Sequence, residues 1–130
     1  MKRDFDRIRE LLIILSELPG GRFKPTGGYP AGAQKGADWS EHDHYQISLM
    51  WEAGLLRNAT LADEDDPPGE FLTISWAGHD YLDAIRDENV WQKTKDGAAQ
   101  MGGATLTLMK DLAIAFLKKE AAEKLGLELG

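Results

Sequence analysis

The order of patterns across residues 40–86 constrains the fold of this chain more than any other feature. A helical pattern ends at Gly54, two short apolar runs follow, and a second helical pattern begins near Ser75. The runs, residues 56–61 and 71–74, are rich in β-favouring side chains and enclose a charged turn with two prolines and a glycine. They predict an antiparallel hairpin between two helices.

Apolar spacing predicts another helix on the N-terminal side. Phe5, Ile8, Leu12 and Leu15 recur three and four residues apart, which indicates a helix over residues 4–17. The Pro-Gly-Gly sequence at residues 19–21 ends it. Residues 22–35 are rich in Gly, Pro, Thr and aromatic side chains without helical periodicity, so we expect a loop that carries a short edge strand.

The helix before the hairpin is predicted over residues 40–53. Ser40 is a suitable N-cap, and acids follow it in the first turn. Tyr45, Leu49 and Ala53 lie four residues apart, with Met50 beside them. This spacing predicts the buried stripe of the helix.

The C-terminal part is predicted to hold two more helices. Ser75 caps the first, which buries Leu82 and Ile85 and ends near Trp91. Residues 93–103 are the linker candidate, so domain boundaries are predicted at 1–92 and 93–130. Thr105 caps a final helix to about residue 124, which packs on the domain or pairs two chains as a homodimer. Its predicted row is Leu108, Leu112, Ala115 and Lys119.

The complete order is helix, loop, helix, hairpin, helix, with an additional C-terminal helix. This is the layout of a winged-helix-like α+β domain, in which the hairpin is the wing. The Gly-rich segment 20–37 departs from that layout, because a helix-turn-helix needs its first short helix there.

Four stretches carry a family resemblance. They are MKRDFDRIR at residues 1–9, YQISLMWEAGLL at 45–56, WAGHDYLDAIRD at 76–87 with Trp91, and Gly102-Gly103. Together they resemble an uncharacterised bacterial and prophage-borne family, the domain of unknown function 2513. The resemblance implies a winged-helix fold and a mobile-element setting. The pattern Ile74-Ser75-x-x-Gly78 is likewise similar to the Leu-Thr-x-x-Gly that follows the wing in many winged-helix regulators.

Composition excludes several classes of protein. A chain of 130 residues that is 42% hydrophobic and 28% charged is globular in composition and long enough for its own core. It has no cysteine, which excludes disulfide scaffolds, thiolate metal sites and cysteine nucleophiles. No apolar run is long enough to span a bilayer, so we expect a cytoplasmic protein with no membrane partner.

The net charge of −7 is concentrated in the middle of the chain. Residues 38–56 carry four acids and no Lys or Arg, and residues 57–70 carry five acids against Arg57. This charge predicts a non-enzymatic interaction module that binds a protein partner through the acidic helix and wing, and the family resemblance implies that the module is phage-associated. The predicted partner-binding residues are Glu41, Asp43, Gln46, Asp63, Glu64, Asp65 and Asp66.

The alternative is a winged-helix DNA-binding regulator. Carboxylates near a polyanion are unfavourable, and of the outward groups on the helix only Gln46 is a typical base-reading side chain. Phosphate contacts would then come from bases in the first 25 residues. These are Lys2, Arg3, Arg7, Arg9, Arg22 and Lys24.

Catalysis, metals and cofactors have weak signals in this sequence. His42 and His44 are two residues apart, which points them to opposite sides of a helix, and His79 is distant in sequence. The glycines fit neither a phosphate-binding loop nor a nucleophile elbow. We expect no enzyme activity, no metal and no cofactor.

Overall fold

The computed structural model describes residues 2–24, 39–59, 71–103 and 105–126. Within them the chain is an α+β protein with five α-helices and one two-stranded antiparallel hairpin. The helices are α1 (Phe5–Ser16), α2 (Glu41–Glu52), α3 (Trp76–Ile85), α4 (Glu88–Gln100) and α5 (Leu106–Leu125). The strands are β1 (Leu56–Asn58) and β2 (Leu72–Ile74). Contacts group the chain into two compact units, Met1–His79 and Asp80–Gly130.

Helix α1 begins where its sequence provides a cap. The Asp4 carboxylate accepts a hydrogen bond from the backbone N–H of Arg7 at 3.0 Å, which satisfies one of the free amides of the first turn. The buried face consists of Ile8, Leu11, Leu12 and Leu15. The helix predicted over residues 4–17 is confirmed.

Helix α2 is confirmed in its bounds. The Ser40 hydroxyl accepts from the backbone N–H of Asp43 at 3.1 Å, and Gly54 follows the helix with a φ of +78°. A positive φ is a conformation that glycine adopts without strain, so Gly54 ends the helix and turns the chain into β1.

The buried stripe predicted for α2 is wrong. Ala53 is exposed, and Tyr45 and Leu49 are only half-buried. The buried residues are Asp43, Gln46, Ile47 and Met50. Two of these are polar side chains that bond to α1, so apolar spacing alone does not mark the inner face of this helix.

The hairpin pairs with a third segment. Leu56 pairs with Ile74 and Asn58 with Leu72, and Phe23 forms an antiparallel bridge to Leu72 from the other side. The predicted hairpin is therefore confirmed at its strands, and the segment predicted to carry an edge strand contributes a single β-bridge at Phe23. The acidic turn between the strands lies outside the described residues.

Trp39 joins the two ends of the segment between α1 and α2. Its indole Nε1 donates to the carbonyl oxygen of Lys24 at 3.1 Å, and its ring meets Phe23 edge to face at 6.1 Å. Most of the predicted Gly-rich loop, residues 25–37, lies outside the described part of the chain.

The C-terminal part of the chain corrects the prediction of one helix from Ser75 to near Trp91. Helix α3 ends at Ile85, and the Asp87 carboxylate starts α4 by accepting from the N–H groups of Asn89 and Val90. These hydrogen bonds lower the pKa of Asp87. The predicted linker at 93–103 is also wrong, because α4 is continuous to Gln100 and crosses the predicted boundary between residues 92 and 93.

Helix α5 has the predicted bounds but a different buried face. The Thr105 hydroxyl caps it, and Gly126 follows it with a φ of +65°. Its buried residues are Met109 and Ala113. In the predicted row, Leu108 and Leu112 are half-buried, whereas Ala115 and Lys119 are exposed. Helix α5 packs against α4, and none of the helices in the described ranges is long and apolar enough to cross a membrane.

Gly78 sets how closely α3 approaches the corner between α2 and β1. A Cβ atom on Gly78 would lie 2.1 Å from the carbonyl oxygen of Leu55 and 2.7 Å from Cγ2 of Ile74. The Ser75 hydroxyl accepts from the Gly78 N–H at 3.0 Å and donates to the carbonyl oxygen of Gly54. The start of α3 is thus bonded to the end of α2.

We expect Gly78→Ala to lower the free energy of unfolding by about 3 kcal/mol, because backbone must move to admit the methyl group. Gly97→Ala is the matched control within another helix, since its Cβ would meet Leu112 and Phe116 at ordinary distances of 3.5 Å or more. Alanine favours helix there, so the control should be neutral or stabilised. Urea unfolding measures both, and equal effects would contradict this packing.

Candidate functional site: the clasp and outer face of α2

A bidentate ion pair joins α1 to α2. Arg7 Nε donates to Asp43 Oδ1 at 2.7 Å, and Arg7 Nη2 donates to Asp43 Oδ2 at 2.8 Å. The Asp43 side chain is 11% exposed and that of Arg7 is 30% exposed, so the pair is partly buried. Two parallel charge-assisted hydrogen bonds fix the relative orientation of the groups as well as their distance.

The buried amide of Gln46 completes the contact. Its Oε1 accepts from the backbone N–H of Asp4 at 2.8 Å, and its Nε2 donates to the carbonyl oxygen of Lys2 at 2.8 Å. Gln46 is fully buried, and these bonds satisfy both ends of its amide. We call the four side chains Asp4, Arg7, Asp43 and Gln46 the α1–α2 clasp.

The clasp alters the acidity of its members. Hydrogen bonds from the Arg7 guanidinium lower the pKa of Asp43, and the same carboxylate raises the pKa of Arg7. The backbone N–H of Arg7 lowers the pKa of Asp4, to which the nearby ring of His42, 3.1 Å from Asp4 Oδ2, also contributes. The carboxylates of the clasp are therefore stabilised in their charged form.

With its inner side held by the clasp, α2 presents an acidic strip to solvent. Glu41, His44, Ser48 and Glu52 are exposed and recur at three- and four-residue spacing, which places them on one side of a helix. We call this strip the α2 outer face. Helix α2 contains no Lys or Arg, so no cation of its own neutralises the two glutamates.

The predicted partner-binding residues of α2 lie on different sides of the helix. Glu41 is exposed as expected, but the expectation that Asp43 and Gln46 point outward is wrong, because both belong to the clasp. Asp63, Glu64, Asp65 and Asp66 lie outside the described residues. Sequence analysis did not assign Glu52 to the surface set, although its spacing of eleven residues from Glu41 places both on one side of the helix.

The predicted phosphate-binding bases fall into two places. At the N-terminus and on α1, Arg7 is engaged by Asp43 and by Glu10 at 2.8 Å, and Arg3 lies 5.4 Å from the centre of the Phe5 ring. Lys2 is exposed and Arg9 is half-buried. Beside the hairpin, Arg22 and Lys24 lie 5.5 and 5.4 Å from the centre of the Phe71 ring.

Sequence analysis missed Arg57 as a member of this second group. Phe23, Leu72 and Asn58 are cross-strand neighbours and are all buried. Adjacent residues point to the opposite side of a pleated sheet, which puts Arg57 on the side of Arg22, Lys24 and Phe71. We call these four residues the sheet outer face.

The histidines and carboxylates of the described residues are mostly separate from one another. No three His, Cys, Asp or Glu side chains there converge as a metal site requires, and His42 pairs with Asp4. Asp43 is the only buried carboxylate in these ranges, and Arg7 neutralises it. Among the described residues the buried hydroxyl of Tyr81 has no hydrogen-bond partner, and burial raises the pKa of this group.

A family model described as hypothetical protein (DUF2513) matches residues 2–104. The chain belongs to the DUF2513 family. The match includes the whole clasp and the α2 outer face, and α5 begins after it. An uncharacterised protein of Haemophilus influenzae is 30% identical over 95 residues, which cover 73% of this DUF2513 chain and 76% of that protein. No solved structure matches.

Stability of this DUF2513 protein should fall in acid. The pKa values of Asp4 and Asp43 are below 3.8 in the folded chain, so their contribution is present above pH 3.8 and is lost as the pH falls through the lowered values. We expect Asp43→Asn to be less stable than wild type at pH 7 and to lose less stability between pH 5 and 2.

Urea unfolding at a series of pH values tests this expectation. Parallel pH profiles for wild type and Asp43→Asn would show that Asp43 has no preferential stabilisation in its charged form.

Proposed function

We propose that this protein is a non-enzymatic interaction module that binds a protein partner with a basic docking surface. The observation that carries the proposal is the α2 outer face, where Glu41 and Glu52 are exposed without a neighbouring Lys or Arg on the helix. The sequence adds four consecutive acids at residues 63–66. Such a surface favours and accelerates encounter with a positively charged partner.

A winged-helix architecture is part of the proposal. The order α1, bridge residue Phe23, α2, hairpin and α3 is consistent with that fold. In this arrangement α2 corresponds to the helix that enters the DNA major groove in winged-helix regulators. The family resemblance also implies a phage-associated protein. The proposed partner is therefore a basic host protein or complex.

The inward position of Gln46 favours a protein partner over DNA. With Gln46 in the clasp, the α2 outer face presents none of the Arg, Lys, Asn or Gln side chains that make bidentate contacts to bases. Its two exposed glutamates would also approach phosphates, which is unfavourable.

The sheet outer face supports a second candidate function, DNA binding as a transcriptional regulator. Arg22 and Arg57 are exposed there, and Arg22 and Lys24 flank the half-buried Phe71 ring. A basic surface with an aromatic ring is suited to nucleic-acid backbones. In this candidate the wing strands, and not α2, would make the main contacts.

The test of the proposal compares two double variants with equal charge change. A partner captured from the host is purified, and its affinity is measured by biolayer interferometry at low and physiological salt. We expect Glu41→Gln/Glu52→Gln to weaken binding about five- to thirty-fold, mainly through the association rate. The control is Asp111→Asn/Glu123→Gln, two exposed acids on α5. Equal affinity of both variants would contradict the proposal.

Fluorescence anisotropy with a mixed-sequence DNA duplex tests the second candidate. Binding at low salt that weakens steeply with added salt and disappears in Arg22→Ala/Lys24→Ala/Arg57→Ala would support DNA binding. The protein-docking proposal expects no binding in the same titration.

A further inference from the structure

Trp76 is the most exposed large hydrophobic side chain in the described residues. Its exposed fraction is 84%, compared with 70% for Met101 and 69% for Leu125. Single exposed apolar residues are common on soluble proteins, so exposure alone assigns no role to Trp76. Tryptophan is nevertheless enriched at the energetic centres of protein interfaces, because one ring offers a large contact area.

Residues on either side of Trp76 fix its backbone at the start of α3. It is the first residue of α3, between Ser75, whose hydroxyl bonds to the carbonyl oxygen of Gly54, and Gly78, which fits against Leu55. A side chain on a packed helix start loses less conformational freedom on binding than one on a loop. The backbone position of Trp76 is therefore fixed by contacts of its neighbours, and its ring is open to solvent.

The neighbours of Trp76 on the same side of α3 are acidic or titratable. His79, Asp80 and Asp83 follow at three, four and seven residues and are all exposed. These four residues, called the α3 strip, lie along a single helix, so helix geometry alone fixes their spacing. Helix α3 itself contains no Lys or Arg, and Arg86 follows its last residue. Asp80 and Asp83 form no side-chain hydrogen bond or ion pair within the described residues.

We propose that the α3 strip binds an arginine-bearing basic segment of a partner protein. A guanidinium can stack on the exposed face of an indole while its N–H groups donate to carboxylates, and Asp80 and Asp83 supply those acceptors one turn or two away. Lysine has a compact ammonium that pairs with carboxylates but stacks less well on tryptophan. The strip adds a second surface to the proposed protein docking and rests on it for the class of partner.

The experiment uses fluorescein-labelled nona-arginine and nona-lysine as probes, with anisotropy read at physiological salt. Wild type should bind nona-arginine at least five-fold more tightly than nona-lysine. Trp76→Ala and Asp80→Asn/Asp83→Asn should each weaken nona-arginine binding about five- to ten-fold, and Trp76→Phe should retain most of it. All of these side chains are exposed, and circular dichroism checks that each variant is folded.

The control variant is again Asp111→Asn/Glu123→Gln, which should change the affinity by less than two-fold. Equal binding of the two peptides, or equal binding by Trp76→Ala and wild type, would overturn the inference. Loss of binding in Glu41→Gln/Glu52→Gln but not in the α3 strip variants would overturn it while leaving the proposed function standing. Loss in the α3 strip variants alone would support it independently of the α2 outer face.

Discussion

The bidentate contact between Arg7 and Asp43 determines how α2 lies on α1, and the surfaces of the first unit follow from it. It turns one polar side of α2 inward, where Gln46 bonds to the backbone at Lys2 and Asp4. A partly buried ion pair is weak evidence of net stability, because desolvation offsets much of the attraction. Its value here is specificity, since any other rotation of α2 would leave Arg7 or Asp43 without its partner.

The orientation of α2 on α1 puts acidic side chains that are close in sequence on different sides of the helix. Asp43 is buried in the clasp, whereas Glu41 and Glu52 are exposed and helix α2 has no Lys or Arg to pair with them. The bases Arg22 and Lys24 lie against the Phe71 ring, and Arg57 is on the same side of the sheet. Within its described residues the first unit thus has an acidic helix face and a basic sheet face. The acidic face supports the proposal of protein docking, and the basic face supports the second candidate, DNA binding.

Local signals in the sequence marked most helix starts but not the buried faces of α2 and α5. Ser40, Ser75 and Thr105 are short-range caps, so they mark helix starts wherever the chain packs. The inner face of α2 depends on Arg7, which is distant in sequence, and hydrophobic periodicity carries no information about such a polar contact. The break between α3 and α4 was missed because Asp87 also fits an exposed position within one long helix. Arg57 was missed because its face depends on the register of the hairpin.

A double-mutant cycle between Arg7 and Asp43 tests the central claim most directly. Arg7→Met keeps much of the side-chain packing, Asp43→Ala removes the carboxylate, and urea unfolding of the four proteins gives the coupling free energy. The account predicts a coupling of at least about 1.5 kcal/mol that persists at high salt, because the pair is partly buried. A coupling below about 0.5 kcal/mol, typical of an exposed surface pair, would contradict it.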